Sequence, residues 1–341
     1  MQAAVLYGRE DLRVEDIPAP ALRPGEVRVE IEAALTCGTD LKVYKRGSHP
    51  RMIAPPAVFG HEFAGRISER AAGVTGWHLG DRVVAANSAP CGNCSYCLNQ
   101  QENLCDDLLF LNGAYAESIV IPARIVNKNL LRLQAGTPFP NAALAEPLAC
   151  VVQGWQDLQP RPGQRALVIG SGPIGLMFTA LARHDQCEVT LAGRGPRLAV
   201  GEKIGASHII DITAQGDLAE AVRAAGFDPF DLVIEAVGKP ETWEAATRLA
   251  RKGGKVNFFG GCPAGTTVTL DTGLIHYSNL TLLASFHHTP RTIRRALELI
   301  ETGVVNAPLF VGGTCILQEL PDLFRSMAQG NRAVKTSVRV R

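Results

Sequence analysis

Apolar and polar residues alternate with a period of two in the first part of the chain. Residues 26–33 (EVRVEIEA) and 116–122 (AESIVIP) show this alternation and lie among stretches that contain proline and glycine. A period of two predicts strands that turn one face to a core and the other to solvent. We therefore predict a β-rich domain over residues 1–150.

The pattern changes near residue 165, where short continuous apolar runs replace the alternation. Such runs are typical of strands that a parallel sheet buries on both faces. They are ALVIG (166–170), EVTLA (188–192), HIID (208–211), DLVIEAVG (231–238), KVNFFG (255–260) and LTLLAS (280–285). Helix-like segments such as 173–184 and 240–253 separate most of them. This succession predicts a doubly wound α/β domain over residues 151–288.

The remaining residues contain two helix-like segments, 291–303 and 320–330, and a strand-like segment, 333–340. Their pattern predicts secondary structure but does not decide which of the two domains they complete.

Length, charge and apolar content restrict the class of protein. The chain has 341 residues, of which 46% are hydrophobic, and two domains of roughly 100–200 residues would fit this length. Its formal net charge is +1, with basic residues dispersed among acidic ones, which argues against nucleic-acid and membrane partners. Neither a basic leader followed by an apolar run nor a stretch of roughly 20 apolar residues occurs. We expect a cytoplasmic protein that acts on a small molecule.

Four of the nine cysteines are concentrated in one short, polar segment. They are Cys91, Cys94, Cys97 and Cys105, separated by two, two and seven residues. Thiolates at this spacing can surround one tetrahedral zinc ion, and four protein ligands would leave no open position, as in a structural site. Free buried cysteines and an iron–sulfur cluster are the alternatives, and we favour structural zinc over both.

A second set of metal-ligand residue types is spread along the predicted β-rich domain. Cys37 lies in LTCGTD, His61 and Glu62 lie in FGHEFAG, and Glu146 lies in AEPLAC. Each residue alone has an ordinary structural explanation. Together they supply a thiolate, an imidazole and carboxylates, and three protein ligands plus water are typical of catalytic zinc.

A glycine-rich motif, GSGPIG, follows the first buried strand and opens a helix-like segment, which is the context that a dinucleotide-binding turn requires. Its residues are Gly170, Gly172, Pro173, Ile174 and Gly175, with a serine after the first glycine. The glycines permit a tight turn, close approach of a pyrophosphate and close packing of helix against strand. A pyrophosphate would then lie at the positive end of the helix.

The end of the second buried strand favours NADP over NAD. NAD-specific sites usually carry an acidic residue about 20 residues beyond the motif, bound to the ribose 2′-hydroxyl. Gly193 stands there instead, followed by Arg194 and Arg197, which can bind a 2′-phosphate. A solvated basic turn without a role is the alternative. Replacing Gly193 with Asp and Arg194 with Ala is expected to reverse the preference.

These motifs occur together in one known family. The sequence resembles the zinc-containing medium-chain dehydrogenase/reductase family, and within it the sorbitol, threonine and sugar-alcohol dehydrogenases. The resemblance covers nearly the whole chain. The matching segments are CGTD (37–40), GHEFAG (60–65), GDRV (80–83), the four-cysteine segment, AEPLAC (145–150) and GSGPIG (170–175).

The resemblance implies a GroES-like, β-rich catalytic domain, completed by residues 289–341, and a Rossmann-type domain. It implies that Cys37, His61 and Glu62 hold a catalytic zinc ion, with Glu146 contacting or exchanging with the zinc water. It also assigns proton transfer to the hydroxyl of Thr39.

The chain departs from the family in the outer part of the proton relay. Lys42 occupies the position at which relatives often carry a histidine, and His49 is the alternative relay group. Two other histidines, His287 and His288, either contribute to the site or only end a strand.

The expected activity is reversible hydride transfer between an alcohol and NADP, with two zinc ions per chain and NAD as the second cofactor candidate. Zinc would polarise the substrate oxygen, and the hydride would pass to the nicotinamide. The alternatives are a zinc-independent enone or quinone reductase, a non-catalytic protein that binds NADP and zinc, and a nucleic-acid-binding zinc module, which the balanced charge disfavours. We expect a homodimer or homotetramer.

Overall fold

The computed structural model describes residues 1–213, 217–330 and 333–340. The chain divides into two compact units. Unit 1 comprises Met1–Ala149 and His288–Arg341, and unit 2 comprises Cys150–His287. None of the helices in the described ranges combines the length and the apolar character needed to cross a membrane.

Short strands dominate the first 144 residues. The strands are β1 (Gln2–Gly8), β2 (Asp11–Asp16), β3 (Val27–Leu35), β4 (Ala57–Val58), β5 (Glu62–Arg70), β6 (Arg82–Ala85), β7 (Ser88–Ala89), β8 (Leu109–Phe110), β9 (Ser118–Ile121) and β10 (Leu130–Arg132). The helices are α1 (Gly38–Arg46), α2 (Ser95–Leu98), α3 (Ala123–Lys128) and α4 (Phe139–Ala142), with a 3₁₀ turn at Glu102–Leu104.

Strands and helices then alternate, as the apolar runs predict. After α5 (Ala145–Leu158) come the strands β11 (Arg165–Ile169), β12 (Glu188–Gly193), β13 (His208–Asp211), β14 (Phe230–Glu235), β15 (Ala250–Phe258) and β16 (Thr281–Leu283). The helices among them are α6 (Pro173–His184), α7 (Leu198–Ile204), α8 (Leu218–Ala224), α9 (Pro240–Leu249) and α10 (Thr272–Tyr277). Beyond residue 288 lie α11 (Pro290–Glu301), α12 (Ala307–Phe310), β17 (Gly313–Ile316), a 3₁₀ turn at Leu317–Glu319, α13 (Leu320–Ala328) and β18 (Thr336–Arg339).

The largest sheet of unit 1 joins strands that are distant in sequence. Its order is β10-β6-β5-β3-β18-β17, and β9 also pairs with β3. The alternation predicted for residues 26–33 is present in β3, where Val27, Val29, Ile31 and Ala33 are buried. Strand β18 pairs antiparallel with β3, so the C-terminal segment completes the sheet of unit 1.

Unit 2 is a parallel sheet with the order β13-β12-β11-β14-β15-β16. In strand-number terms within the unit this is 3-2-1-4-5-6, the order of a dinucleotide-binding fold with a switch point beside its first strand. The first strand is buried over most of its length, as a continuous apolar run requires. The predicted combination of a β-rich domain with a Rossmann-type domain is confirmed.

One predicted element ends earlier than its sequence pattern indicated. The helix-like segment 240–253 is helical only to Leu249, and β15 begins at Ala250. Ala250 pairs with Phe230 at the start of β14, and the register shifts before pairing resumes at Leu232 with Lys255. Tertiary pairing therefore overrides the helical pattern of the last residues of the segment.

Candidate active site

Strand pairing in unit 1 brings three candidate metal ligands together. Cys37 follows β3, His61 precedes β5, and Glu62 is the first residue of β5, where it pairs with Leu35. One ligand atom from each of Cys37, His61 and Glu62 lies within 4.8 Å of the other two. Zinc ligands lie about 2.0–2.3 Å from the ion, so these donors can surround one ion after small adjustments.

A buried carboxylate holds the imidazole of His61. The Nδ1 atom of His61 lies 2.8 Å from Oδ1 of Asp40, and both side chains are almost fully buried. This contact leaves Nε2 for a metal, which is the usual carboxylate–histidine arrangement around zinc. Burial lowers the pKa of His61, but the negative charges of Asp40 and Cys37 outweigh it and raise that pKa well above its ordinary value.

Tyr115 extends this network into the core. Its hydroxyl donates to Oδ2 of Asp40 over 2.6 Å and lies 3.0 Å from the carbonyl oxygen of Leu35. Burial and the Asp40 charge raise the pKa of Tyr115 well above its ordinary value, so the phenol keeps its proton and remains a donor. The ring also explains Gly60, whose Cβ, if present, would lie 2.7 Å from ring atoms of Tyr115.

A buried lysine neutralises Glu62. The Nζ atom of Lys335 lies 2.7 Å and 2.6 Å from the two carboxylate oxygens and donates to the carbonyl oxygen of Thr36 over 3.0 Å. The two charged side chains are 3% and 0% exposed, so solvent hardly screens the pair. Burial alone would lower the pKa of Lys335, but the charge of Glu62 outweighs it and raises that pKa. Lys335 precedes β18, and the pairing of β18 with β3 places it here.

Glu146 lies outside the three-residue group. Its carboxylate, on α5, is 6% exposed, and burial raises its pKa to about 7. Its Oε1 atom lies 3.9 Å from Nε2 of His288, and that nitrogen also lies 3.2 Å from Oδ1 of Asn87 and 3.4 Å from Oγ of Ser88. His288 is therefore a buried polar residue of unit 1 beside a predicted site residue.

The predicted relay residues occupy different environments. The backbone N–H of Thr39 donates to Sγ of Cys37, which caps α1, and Thr39 is partly exposed. Lys42 is exposed on the same helix. The Nδ1 atom of His49 accepts from the backbone N–H groups of Arg51 and Met52, and this closes a local turn.

The four clustered cysteines face one another. Their sulfur atoms all lie within 4.8 Å, and the pairs Cys91–Cys97 and Cys94–Cys105 are each 3.9 Å apart. A tetrahedral zinc ion with Zn–S of about 2.3 Å requires sulfur atoms about 3.8 Å apart, so the geometry fits zinc without bringing any pair to disulfide distance.

Backbone groups and burial act in opposite directions on these thiols. N–H donation, first from Asn93, lowers the pKa of Cys91 to about 6, whereas burial raises the pKa of Cys97 to about 12. Four thiolates at this distance would repel one another unless a cation compensated them. A bound cation is therefore the arrangement that the four side chains accommodate best.

The glycine motif of unit 2 forms a tight turn between β11 and α6. Gly170 has φ of +116°, and a Cβ at Gly175 would lie 1.8 Å from the carbonyl oxygen of Gly170. A Cβ at Gly172 would meet nothing within 4 Å. The first and third motif glycines are thus required by conformation and packing, and the middle one borders open space at the N-terminus of α6. Pro173 is the first residue of that helix, and Ile174 follows it.

The predicted cofactor-selecting residues lie at the end of β12. Gly193 is buried and Arg194 is exposed, while Arg197 precedes α7. Asp211 of β13 pairs with Gly193, and hydrogen bonds from Thr213, with a smaller effect of Arg194, lower the pKa of Asp211. An acidic side chain is therefore close to the basic turn but on the neighbouring strand.

Three residues of these sites were not recognised as such from the sequence. Asp40 lies within the CGTD motif, which could have pointed to it. Tyr115 and Lys335 carry no local signal, because their partners are 75 and 273 residues away.

Two family models match the chain. Residues 23–130 match the alcohol dehydrogenase GroES-like domain, and residues 173–302 match the zinc-binding dehydrogenase family.

Two dehydrogenases match this chain over most of their length. The D-altritol 5-dehydrogenase of Agrobacterium fabrum is 34% identical, and the match covers 84% of this chain and 84% of that protein. The sorbitol dehydrogenase of Bacillus subtilis is 27% identical over 99% and 97% of the two chains. Among solved structures, one from Sinorhizobium meliloti 1021, described as a zinc-binding dehydrogenase bound to NADP, has a TM-score of 0.90 at 30% identity. That match covers 99% of this chain and 98% of the other.

Proposed function

The chain belongs to the zinc-binding alcohol dehydrogenase family, in its sorbitol and sugar-alcohol branch, and we propose on this premise that it oxidises a secondary alcohol of a polyol with NADP. The reaction class is that of an alcohol or polyol dehydrogenase acting on a small molecule. Beyond this reaction class, we propose that the substrate group is a secondary alcohol, that NADP is preferred, that two zinc ions bind, and that individual residues have the roles given below.

The grouping of Cys37, His61 and Glu62 carries the proposal. This set supplies one sulfur, one nitrogen and one oxygen donor, and it would hold the catalytic zinc ion and leave a position for substrate. Zinc, when bound, supplies Lewis acidity toward the substrate oxygen. A second zinc ion would occupy the four-cysteine site, where its role is structural.

The surrounding residues prepare the three donors. Asp40 fixes the ring of His61, and Lys335 compensates the charge of Glu62. Because Lys335 compensates the charge of Glu62, the site is more electropositive than it would be with an uncompensated thiolate and carboxylate. A more electropositive site favours removal of a proton from an alcohol. Glu146, with a pKa near 7, can hold or release a proton at its carboxyl oxygens near neutral pH. The Thr39 hydroxyl would conduct the substrate proton outward.

The preference for NADP rests on the turn after β12. Gly193 carries no charge where an acid would repel a 2′-phosphate, and Arg194 offers a guanidinium. Asp211 offsets part of that positive charge. A single charge-assisted contact of about 1.5–3 kcal/mol corresponds to roughly a ten- to hundredfold preference, and we expect the lower end of that range.

The test is a panel of polyols, sugar phosphates, amino-alcohols and sugar acids, assayed by nicotinamide absorbance with NADP and with NAD. We expect turnover of at least one polyol class with NADP about tenfold more efficiently than with NAD. Turnover of enones or quinones without any alcohol would favour a reductase of the zinc-independent type. Tight binding of zinc and NADP without turnover would favour a non-catalytic protein. Cytoplasmic location and assembly into a homodimer or homotetramer remain predictions, and sedimentation measures the second.

A further inference from the structure

Ser171 lies inside the nucleotide-binding turn and packs against the end of β12. It follows Gly170, the first glycine of the motif, and it is 4% exposed. Its neighbour across the turn is Gly193, the residue that replaces the carboxylate expected in an NAD-specific site. The two positions are 22 residues apart in sequence and touch in the fold.

Backbone conformation does not explain the glycine at 193. Gly193 belongs to β12 and is not among the residues with positive φ, so any amino acid could adopt its conformation. Space explains it. A Cβ at residue 193 would lie 2.6 Å from Cβ and 2.6 Å from Oγ of Ser171, and 3.0 Å from its backbone nitrogen. Non-bonded carbon atoms normally stay about 3.5–4.0 Å apart. A side chain at position 193 would therefore require Ser171 or the backbone beside it to shift.

The hydroxyl of Ser171 also holds the next residue. Its Oγ accepts from the backbone N–H of Arg194 over 3.3 Å and donates to the carbonyl oxygen of Arg194 over 3.2 Å. One hydroxyl thus binds both main-chain polar groups of the residue whose exposed guanidinium is the candidate phosphate ligand. Fixing that backbone limits the directions in which the arginine side chain can extend.

We propose that Ser171 determines cofactor specificity in this chain. Its side chain blocks an NAD-type carboxylate at position 193, and its hydroxyl fixes the backbone from which Arg194 reaches a ribose 2′-phosphate. This inference rests on the proposed use of NADP. It changes the expected result for Gly193→Asp with Arg194→Ala, because the new side chain would collide with Ser171 in its present position.

The first experiment measures equilibrium binding of NADP, NAD and 2′,5′-ADP to the purified zinc-loaded protein without substrate. Ser171→Ala keeps the Cβ and removes the hydroxyl, and it should weaken NADP and 2′,5′-ADP by about twofold to tenfold while NAD changes by less than about twofold. An unchanged ratio of NADP to NAD affinity in this variant would overturn the role of the hydroxyl.

The second experiment tests the steric role with two matched variants. Gly193→Asp with Arg194→Ala should lose NADP affinity and gain no NAD affinity. Adding Ser171→Gly to that pair should raise NAD affinity at least about tenfold, since it opens space for the carboxylate. Tight NAD binding by the double variant alone would overturn the steric role.

A double-mutant cycle of thermal stability tests the contact between residues 193 and 171 without any cofactor. Gly193→Ala should lower the thermal midpoint by about 3–8 °C when Ser171 is present, and at least half of that loss should disappear in the Ser171→Gly background. Equal losses in both backgrounds would refute the contact. A wild-type preference for NAD, combined with the expected stability cycle, would instead refute the proposed use of NADP.

Discussion

The two groups of candidate zinc ligands in unit 1 are held by different kinds of structure. Cys37, His61 and Glu62 stand at the ends of paired strands. Buried partners bind the last two: Asp40, 21 residues away, binds His61, and Lys335, 273 residues away, binds Glu62. The four-cysteine segment contains a four-residue helix and a 3₁₀ turn, neither of which has a buried residue. Its sulfur atoms lie next to one another and accept hydrogen bonds from backbone N–H groups of the segment, such as those of Gly92 and Cys94.

The difference indicates what each site requires from a metal. Strand pairing and buried hydrogen bonds can hold the three-residue group in place before an ion binds, so the ion adds chemistry more than shape. The cysteine segment has too little buried apolar surface to fix its own conformation, so metal binding must supply much of its local folding energy. Removing the ion should therefore disorder the four-cysteine segment, whereas the group of Cys37, His61 and Glu62 should keep its shape and lose only its activity.

The largest effect is expected in the cysteine segment. Cys97→Ser should remove one equivalent of zinc and accelerate amide exchange across residues 91–105, because a structural zinc site contributes about 10–16 kcal/mol of local binding energy. Metal analysis and hydrogen-exchange mass spectrometry measure both. The control is Cys262→Ser, which changes a cysteine outside both ligand groups. Unchanged exchange in the Cys97 variant would show that the segment folds without its metal.

Cys37→Ser should abolish activity without disordering the fold. We expect a loss of at least about 10³-fold in kcat/KM, equivalent to about 4 kcal/mol, and loss of the other zinc equivalent. Serine preserves an N-cap acceptor for the backbone N–H of Thr39, so the thermal midpoint should move by less than about 3 °C. A large drop in the midpoint would mean that this site, too, depends on its metal for shape.

The Lys335–Glu62 pair tests how much the protein alone stabilises the catalytic group. Lys335→Met should destabilise metal-free protein by about 3–5 kcal/mol, because it leaves a buried carboxylate without its cation. Adding Glu62→Gln should recover most of that loss. Chemical denaturation of the single and double variants measures the coupling, and a double variant no more stable than Lys335→Met would contradict it.

The smallest effect concerns Glu146 and pH. Burial raises its folded pKa from 4.5 to about 7, so the folded protein binds this proton more tightly than the unfolded chain does. The protonated Glu146 therefore contributes fully to the free energy of unfolding below pH 4.5. This contribution, at most about 3 kcal/mol in metal-free protein, is lost as the pH rises through about 7. Glu146→Gln should remove this loss. Parallel stability–pH profiles for the two proteins between pH 4.5 and 8 would refute the shift.

The sequence predicted the Rossmann-type domain well, because a sheet that is buried on both faces leaves a continuous apolar run for each strand. The boundary of α9 was less predictable, since pairing of Ala250 with Phe230 ends the helix. The metal-ligand residue types stand in short motifs and could be proposed for that reason. Lys335 could not, because only the pairing of β18 with β3 brings it to Glu62.

Gly193 stands out in the sequence for the charge it lacks, but a sequence cannot show that a side chain from another turn fills the space beside it. Contacts of this kind depend on distances of a few tenths of an ångström. They follow from the way α6 and β12 pack on β11, which no local pattern of residues records.

The late position of β18 has a consequence for the order in which the protein is made. Unit 2 is continuous in sequence, whereas the sheet of unit 1 needs Ser337 to pair with Leu35, 302 residues earlier. At roughly 5–20 residues per second, a ribosome needs about 15–60 s to cover that interval. During that time Ala34 and Leu35 at the end of β3 lack their partners in β18, whereas β9 already pairs with the start of the strand, and Glu62 lacks the ammonium of Lys335. Unit 2, which is continuous in sequence, can complete its fold before the sheet of unit 1 is complete.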